Sequence, residues 1–411
     1  MSADRKSGVL RVRDGHEARV TNAELFFDLI YAFAVTQLSH HLLGDLTLLG
    51  AAQTLVLWFA VWLGWQYTCW VTNWFDPDAM PIRVMLLAVM MLGLLMSAAL
   101  PEAFDELGLL FAICYSLIQV GRTLYVLLYL GGSHALTANF RRILGWMSIS
   151  AAFWVAGGLA QGPARLYLWP IAVLCEYVSP MVGFKLPGLG RSRSADWTID
   201  GGHLAERCQL FVMVALGESI LVTGATLSEA PNWDAPILVA FLVAFLASVS
   251  MWWMYFDTSS KAGSEAITHS ESPGRMGSYF HYVHVIIIAG IIVSAVGSDL
   301  FLAHPDGQIE TRHVAVLIGG PAIYLLGNAI YKRVVYGRFP LSHLAGLAAL
   351  AVLTPFARLT DLLMVGGLTT LIMMIVAGWE ALSRRSHHHL PPHPPPSPGS
   401  GEGALRGREG A

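Results

Sequence analysis

Residues 83–100 read R-V-M-L-L-A-V-M-M-L-G-L-L-M-S-A-A-L, without a single charge after Arg83. The hydrocarbon core of a bilayer is about 30 Å thick and is crossed by about 20 apolar residues in a helix. This stretch is therefore a membrane-crossing helix. Equivalent stretches occur at 24–43, 50–72, 107–130, 143–160, 166–184, 203–227, 235–256, 278–302, 313–331, 341–357 and 360–382. The eleventh is the weakest, being short and meeting Pro355 near its end. The fold expected is all-α: a polytopic membrane bundle of about twelve helices.

Composition agrees. Of 411 residues, 55% are hydrophobic and 13% charged, whereas a soluble domain carries about 25% charged residues. The net charge of −3 and the lack of a basic block give no reason to expect a nucleic-acid partner. The partner expected is the lipid bilayer. Cys69, Cys114, Cys175 and Cys208 lie singly in apolar runs, as small core residues do, and imply no disulfide framework or metal. No apolar core of signal-peptide length precedes residue 24, so no cleaved leader is expected.

Lys and Arg near span ends are retained in the cytoplasm. With the N-terminus inside, twenty Lys and Arg fall on the cytoplasmic side, and only Arg165, Arg312 and Arg358 on the other. That bias predicts that both termini are cytoplasmic. Residues 1–23 then form a cytoplasmic segment. Residues 383–411, rich in Pro, His and Gly, form a tail too polar and turn-rich to pack, and its histidines are low-complexity sequence before they are metal ligands.

Internal matches suggest a duplication of 24–190 in 203–382. Glu24-Leu25-Phe26-Phe27-Asp28 opens one half and Glu206-Arg207-Cys208-Gln209-Leu210-Phe211 the other; Trp74-Phe75-Asp76 matches Tyr255-Phe256-Asp257, Gly93 and Ser97 match Gly290 and Ser294, Gly121 and Tyr125 match Gly327 and Tyr331, and Glu176 matches Glu380. Six crossings per half would leave two parallel repeats in one orientation, an arrangement that transporters use to build a site between halves.

Ionisable residues inside spans are costly, about 2.5–3.5 kcal/mol each at the bilayer centre, and face the bundle interior. Glu24 and Asp28 are four residues apart on one helix face, so a cation, an Arg or a shared proton is expected beside them; the plain alternative is a helix-start cap. Span seven carries His203, Glu206 and Arg207, then Gly217-Glu218-Ser219. Glu218 lies roughly 16 Å beyond Arg207 at 1.5 Å per residue, near mid-membrane; it is either functional or a neutral interhelical contact. Arg122 and Glu176 are further candidates as buried counter-charges, and Gln37 makes the far half of span one polar. His281 and His284 are expected to anchor an interface with Tyr279 and Tyr282. Trp58, Trp62, Trp65, Trp70 and Trp74 recur at roughly helical spacing, as packing or as pocket walls. No phosphate-cradling loop, H-E-x-x-H or magnesium-binding acidic pair occurs, so no cofactor or metal is expected.

The runs E-L-F-F-D-L-I-Y-A-F-A-V-T-Q-L-S (24–39), H-L-A-E-R (203–207), L-G-E-S-I-L (216–221) and Y-F-D (255–257) resemble the bacterial low-temperature-requirement A family, over roughly residues 20–385. The resemblance implies a multi-helix inner-membrane protein, named for a cold-growth phenotype. It places Glu24, Phe27, Asp28, Gln37, His203, Glu206, Arg207, Gly217, Glu218 and Ser219 on motif positions. Cys208-Gln209 departs from the Phe-Gly expected after Arg207.

Three functions remain open. One is a transporter of a small solute or ion whose halves meet around Glu24, Asp28, Arg122, Glu206, Arg207 and Glu218. Another is an acid-catalysing membrane enzyme acting on a lipid or isoprenoid in an aromatic pocket. The third is a structural or sensory protein. Oligomeric state is not encoded legibly. Reporter fusions after residues 195 and 385 should both report cytoplasm; a periplasmic signal from either would break the twelve-span topology.

Overall fold

The computed structural model describes residues 9–11, 18–132, 134–160, 162–193, 196–257, 259–270 and 272–388. Most of the segment 1–23 and of the tail, including His389 and His393, lies outside the described residues. Twelve principal helices follow one another: α1 (Asn22–Gly44), α2 (Leu48–Trp74), α3 (Met80–Ala99), α4 (Gly108–Leu130), α5 (Thr137–Leu159), α6 (Ala164–Met181), α7 (Gly201–Glu229), α8 (Ala235–Trp252), α9 (Pro273–Ala303), α10 (Thr311–Tyr336, broken at Ile318), α11 (Leu341–Leu353) and α12 (Leu362–His388). A short helix, Ser260–Thr268, precedes α9, and no strand forms among the described residues. Each expected span coincides with one helix. The doubtful eleventh is present: Pro355 falls in a tight 3-10 turn, Thr354–Leu359, that extends α11. α12 runs past the expected boundary at 382.

Ten of these helices are long and apolar enough to cross a membrane. The two that fall short by that measure are α1 and α6, which carry Glu24, Asp28, Gln37, His40 and His41, and Arg165 and Glu176. Their charged residues are turned inward: Glu24, Asp28, Arg165 and Glu176 are all buried, while Gln37 and His41 are half-buried and His40 is exposed. Outward positions are apolar instead, as at Met91, Leu128 and Ile375. A chain solvated by hydrocarbon places its leucines outside and its charges inside.

In the first half α1 packs on α2 and α3, α3 on α4, α4 on α5, α5 on α6, and α6 returns to α2. In the second half α7 packs on α8 and α9, α9 on α10, α10 on α11, α11 on α12, and α12 returns to α8. The halves meet where α1 and α2 touch α7 and α9. Not every matched residue has the same neighbour. Gly93 of α3 faces Ile30 of α1, whereas Gly290 of α9 lies against the Tyr324 backbone of α10.

α9 and α10 pack backbone to backbone through glycines. A Cβ on Gly290 would come 2.4 Å from the Tyr324 nitrogen, and one on Gly320 would come 2.6 Å from the Ser294 nitrogen. Hydrocarbon supplies no hydrophobic drive between helices, so close backbone packing through small residues substitutes for it. Gly290→Ala should therefore push α9 and α10 apart and destabilise by about 1–3 kcal/mol. Gly224→Ala, where an added Cβ meets nothing within 4 Å, should leave the melting temperature unchanged; equal effects at both positions would refute the tight contact.

Candidate functional site

The N-terminal segment is laid along the end of α2. Arg11 N donates to Trp74 O at 3.0 Å and Asp76 N to Val9 O at 2.9 Å, and Arg11 Nε donates to Thr72 O at 2.6 Å. Arg11 thereby enters the bundle beside the start of α1. Thr21 caps that start. Its hydroxyl oxygen accepts from Glu24 N at 3.3 Å, and Glu24 Oε2 accepts from Thr21 N at 2.9 Å. Thr21 and Glu24 thus form a capping box, and Glu24 is also the centre of an ion-pair cluster.

Glu24 Oε2 lies 2.7 Å from Arg11 Nη2, while Glu24 Oε1 lies 2.9 Å from His203 Nε2 and 3.0 Å from Arg207 Nη1. Arg207 Nη2 donates to Asp28 Oδ1 at 2.6 Å, and Trp65 Nε1 donates to the same oxygen at 2.7 Å. The Arg207 guanidinium also sits 5.8 Å from the ring centres of Phe27 and Trp65. Asn73 holds the other side of His203, with Nδ2 3.1 Å from its Nδ1, and bonds Asp200, which caps α7. Two carboxylates face two guanidiniums, with Glu24, Asp28 and Arg207 buried and Arg11 half-buried, so the like-charge pair on α1 is neutralised by α7 together with the N-terminal segment. Arg11 was not among the candidate site residues, and Trp65 stood out in the sequence only as one of the recurring tryptophans, not as a partner of Asp28. Arg11 reads as ordinary loop charge, and nothing in periodicity shows it folding inward.

Arg122 and Glu176 meet through an intermediary. Gln119 Oε1 accepts from Arg122 Nη2 at 2.5 Å, and Gln119 Nε2 donates to Glu176 Oε2 at 3.0 Å. Arg122 also donates to the Thr68 hydroxyl at 2.9 Å, and Glu176 accepts from Tyr115, Ser150 and Trp154 at 2.5, 2.5 and 3.0 Å. A π-helical turn in α4, Leu117–Gly121, carries Gln119 and leads into Arg122; such turns shift side chains that a regular helix would place elsewhere. Gln119, three residues before Arg122 in an apolar run, was the available clue.

The remaining candidates lie apart from both clusters. Glu206 is exposed on α7 and Gln37 half-buried on α1. Ser219 is buried with its hydroxyl 3.4 Å from that of Ser248 on α8. Glu218 is half-buried on α7 and not beside Arg207. His281 and His284 do not anchor an interface: both are buried, His281 beside the rings of Trp62, Trp65 and Trp70, and His284 with Nε2 2.6 Å from Tyr255 Oη. They sit within the helix packing. Of the tryptophans, Trp62 and Trp65 are core. Trp70 and Trp74 line a cavity of about 690 Å³, at the end of the bundle where α2, α4 and α6 finish and α9 begins.

That cavity is bounded by both halves: Tyr67, Arg122 and Met181 from the first, Arg275, Tyr279 and Tyr282 from the second. No Asp or Glu lines it among the described residues, and none of the groups of His, Cys, Asp and Glu described is placed to hold a metal ion.

The fold and its buried charges define a polytopic helical membrane protein. Residues 19–378 match the family described as bacterial low temperature requirement A protein, and the chain belongs to it. It is 38% identical over 375 residues to an uncharacterized protein of Rhizobium meliloti (strain 1021), covering 90% of this chain and 91% of that one. No solved structure matches significantly.

Removing one member of a buried ion pair strands its partner and costs about 3–5 kcal/mol. Arg207→Leu should lower the melting temperature of the purified protein accordingly. The double variant Asp28→Leu/Arg207→Leu leaves Glu24 balanced by Arg11 and should regain much of the loss. A double variant no more stable than the single one would mean that charge balance is not what holds α1 to α7.

Proposed function

We propose that this protein transports a small solute or ion across the inner membrane, with two parallel six-helix repeats and both termini cytoplasmic. The observation that carries the reading is the cavity, which lies between the halves where transporters built from repeats bind their cargo. The same order of helix neighbours in the two halves supports the repeats. On this reading Glu24, Asp28, His203 and Arg207 form the latch that holds α1 to α7 while the cavity is open at one end. Arg122, held to Glu176 through Gln119, is its inner wall. Glu218 and Ser219 lie farther along α7, toward the opposite side, and Glu206 and Gln37 lie outside the latch on the same two helices.

The enzyme alternative asks for a carboxyl acid in the aromatic pocket. The buried carboxylates described on the helices are closed off: Glu176 is saturated by four donors, and Glu24 and Asp28 are held by arginines. That arrangement favours transport over acid catalysis.

Alternating access supplies the test. With the native cysteines replaced, Ser278→Cys, on the cavity wall, should be modified by a membrane-impermeant thiol reagent in right-side-out and in inverted vesicles alike, at different rates. Modification from one side alone would exclude a carrier. Glu218→Gln keeps size and hydrogen-bonding capacity; it should change the ratio of those two rates without changing the melting temperature. An unchanged ratio would remove Glu218 from the path.

A further inference from the structure

The cavity's charge is one-signed. Arg122, Arg191, Arg193 and Arg275 all border it, and no carboxylate does among the described residues. Arg191, Arg193 and Arg275 are exposed, and none forms an ion pair within 4 Å among the described residues. Three exposed arginines at a bundle end would by themselves be the ordinary basic rim of a membrane protein. Arg122 is a different matter. It is buried, eight residues before the end of α4, or roughly 12 Å inside that rim at 1.5 Å per residue. Among the described residues it has no direct carboxylate partner, and its Nε, like Gln66 Oε1, is a buried polar atom at the cavity without a hydrogen bond. Arg207 is set directly against acids, whereas Arg122, among the described residues, reaches an acid only through the Gln119 amide.

The walls between the rim and Arg122 are apolar and aromatic. Tyr67, Trp70, Trp74, Phe140, Trp197 and Tyr282 enclose the space, and aromatic faces pack flat rings and alkyl chains alike. Positive groups at both depths with an apolar sleeve between them describe a ligand with an anionic group and an apolar body. We infer that the cavity binds an amphipathic anion, a phosphate or carboxylate carried on an alkyl or ring-bearing body. This names the substrate class of the transport reading and rests on it for its use; the binding itself is independent of whether the ligand crosses.

The anionic group could come from a membrane lipid or from a soluble metabolite, and the experiment separates the two. The purified full-length protein, in nanodiscs of phosphatidylcholine, is titrated with 1-oleoyl lysophosphatidate, oleate, inorganic phosphate and 1-oleoyl lysophosphatidylcholine, with binding read by native mass spectrometry or calorimetry. Lysophosphatidate or oleate should bind at one site, and lysophosphatidylcholine at least about tenfold more weakly, since a charge-assisted hydrogen bond to Arg is worth at least that factor. Competition by inorganic phosphate would assign the site to a soluble anion; no competition would assign it to a lipid-like one. Arg275→Gln and Arg191→Gln, both exposed and outside the latch, should each weaken binding about tenfold at unchanged melting temperature. Arg122→Lys, which keeps the charge, should bind better than Arg122→Gln. Equal affinity for lysophosphatidate and lysophosphatidylcholine, or affinity indifferent to all three arginines, would overturn the inference. Anion binding with one-sided modification of Ser278→Cys would instead refute transport and leave the binding site standing.

Discussion

Two guanidiniums set against two carboxylates in the bundle interior are the constraint on which the arrangement of the halves depends. Glu24 and Asp28 stand one helical turn apart on α1, and neither could remain ionised away from water without a counter-charge. Arg207 reaches both from α7, and Arg11 completes the count from a segment that arrives along α2. Because the ligands come from three places in sequence, neutrality is achieved only when α1, α2 and α7 are assembled in this register. Hydrogen bonds between membrane helices are individually weak, whereas an uncompensated buried charge is not. The cluster therefore specifies the α1–α7 contact more strongly than apolar packing, which is nearly as good against lipid as against another helix. Trp65 adds direction to the charge balance: its indole N–H takes one Asp28 oxygen and its ring lies against the Arg207 guanidinium, so the pair is fixed in orientation as well as in distance.

Hydropathy alone undervalues the two helices that matter most to this assembly. α1 and α6 fall short of an apolar span because they carry the buried acids, and those acids are satisfied by neighbours before lipid is met. In α6 the satisfaction is purely local to the first half: Glu176 collects donors from α4 and α5. In α1 it crosses to the second half. One polar helix thus consolidates its own bundle and the other joins the two bundles, a difference that follows from where the donors reside and not from the acids themselves.

Helix positions were legible because each crossing needs the same length of apolar sequence, and even the short eleventh span was recoverable once Pro355 is placed in a turn after the helix. The motif residues on α1 and α7 were legible as a pair of charged faces, but which acid meets which base was not: the partners lie 179 positions apart for Asp28 and Arg207, and no periodicity within one helix encodes a contact between two. Glu218 shows the converse. Its spacing from Arg207 is real, yet a shared face over that length spans about half of the bilayer core, so the two residues meet different neighbours. The basic rim was visible as topology signal, while its convergence on one cavity with Arg122 required the loop 183–193 and the start of α9 to be folded over the ends of α2 and α6.

The two kinds of arginine in this protein make the final point. Arg207 and Arg11 are spent on internal acids, and what they gain is a closed, neutral contact that excludes any ligand. Arg122 is equally buried, but its contacts are uncharged: an amide, a hydroxyl, a carbonyl and a tyrosine face. Such contacts orient a guanidinium without cancelling its charge. Gln119, which could have been a carboxylate and so completed an ion pair, instead relays Arg122 to Glu176 and leaves a positive potential at the cavity wall. An amide at that position holds the arginine in place and keeps it available, which is what a binding group needs and a purely structural one does not.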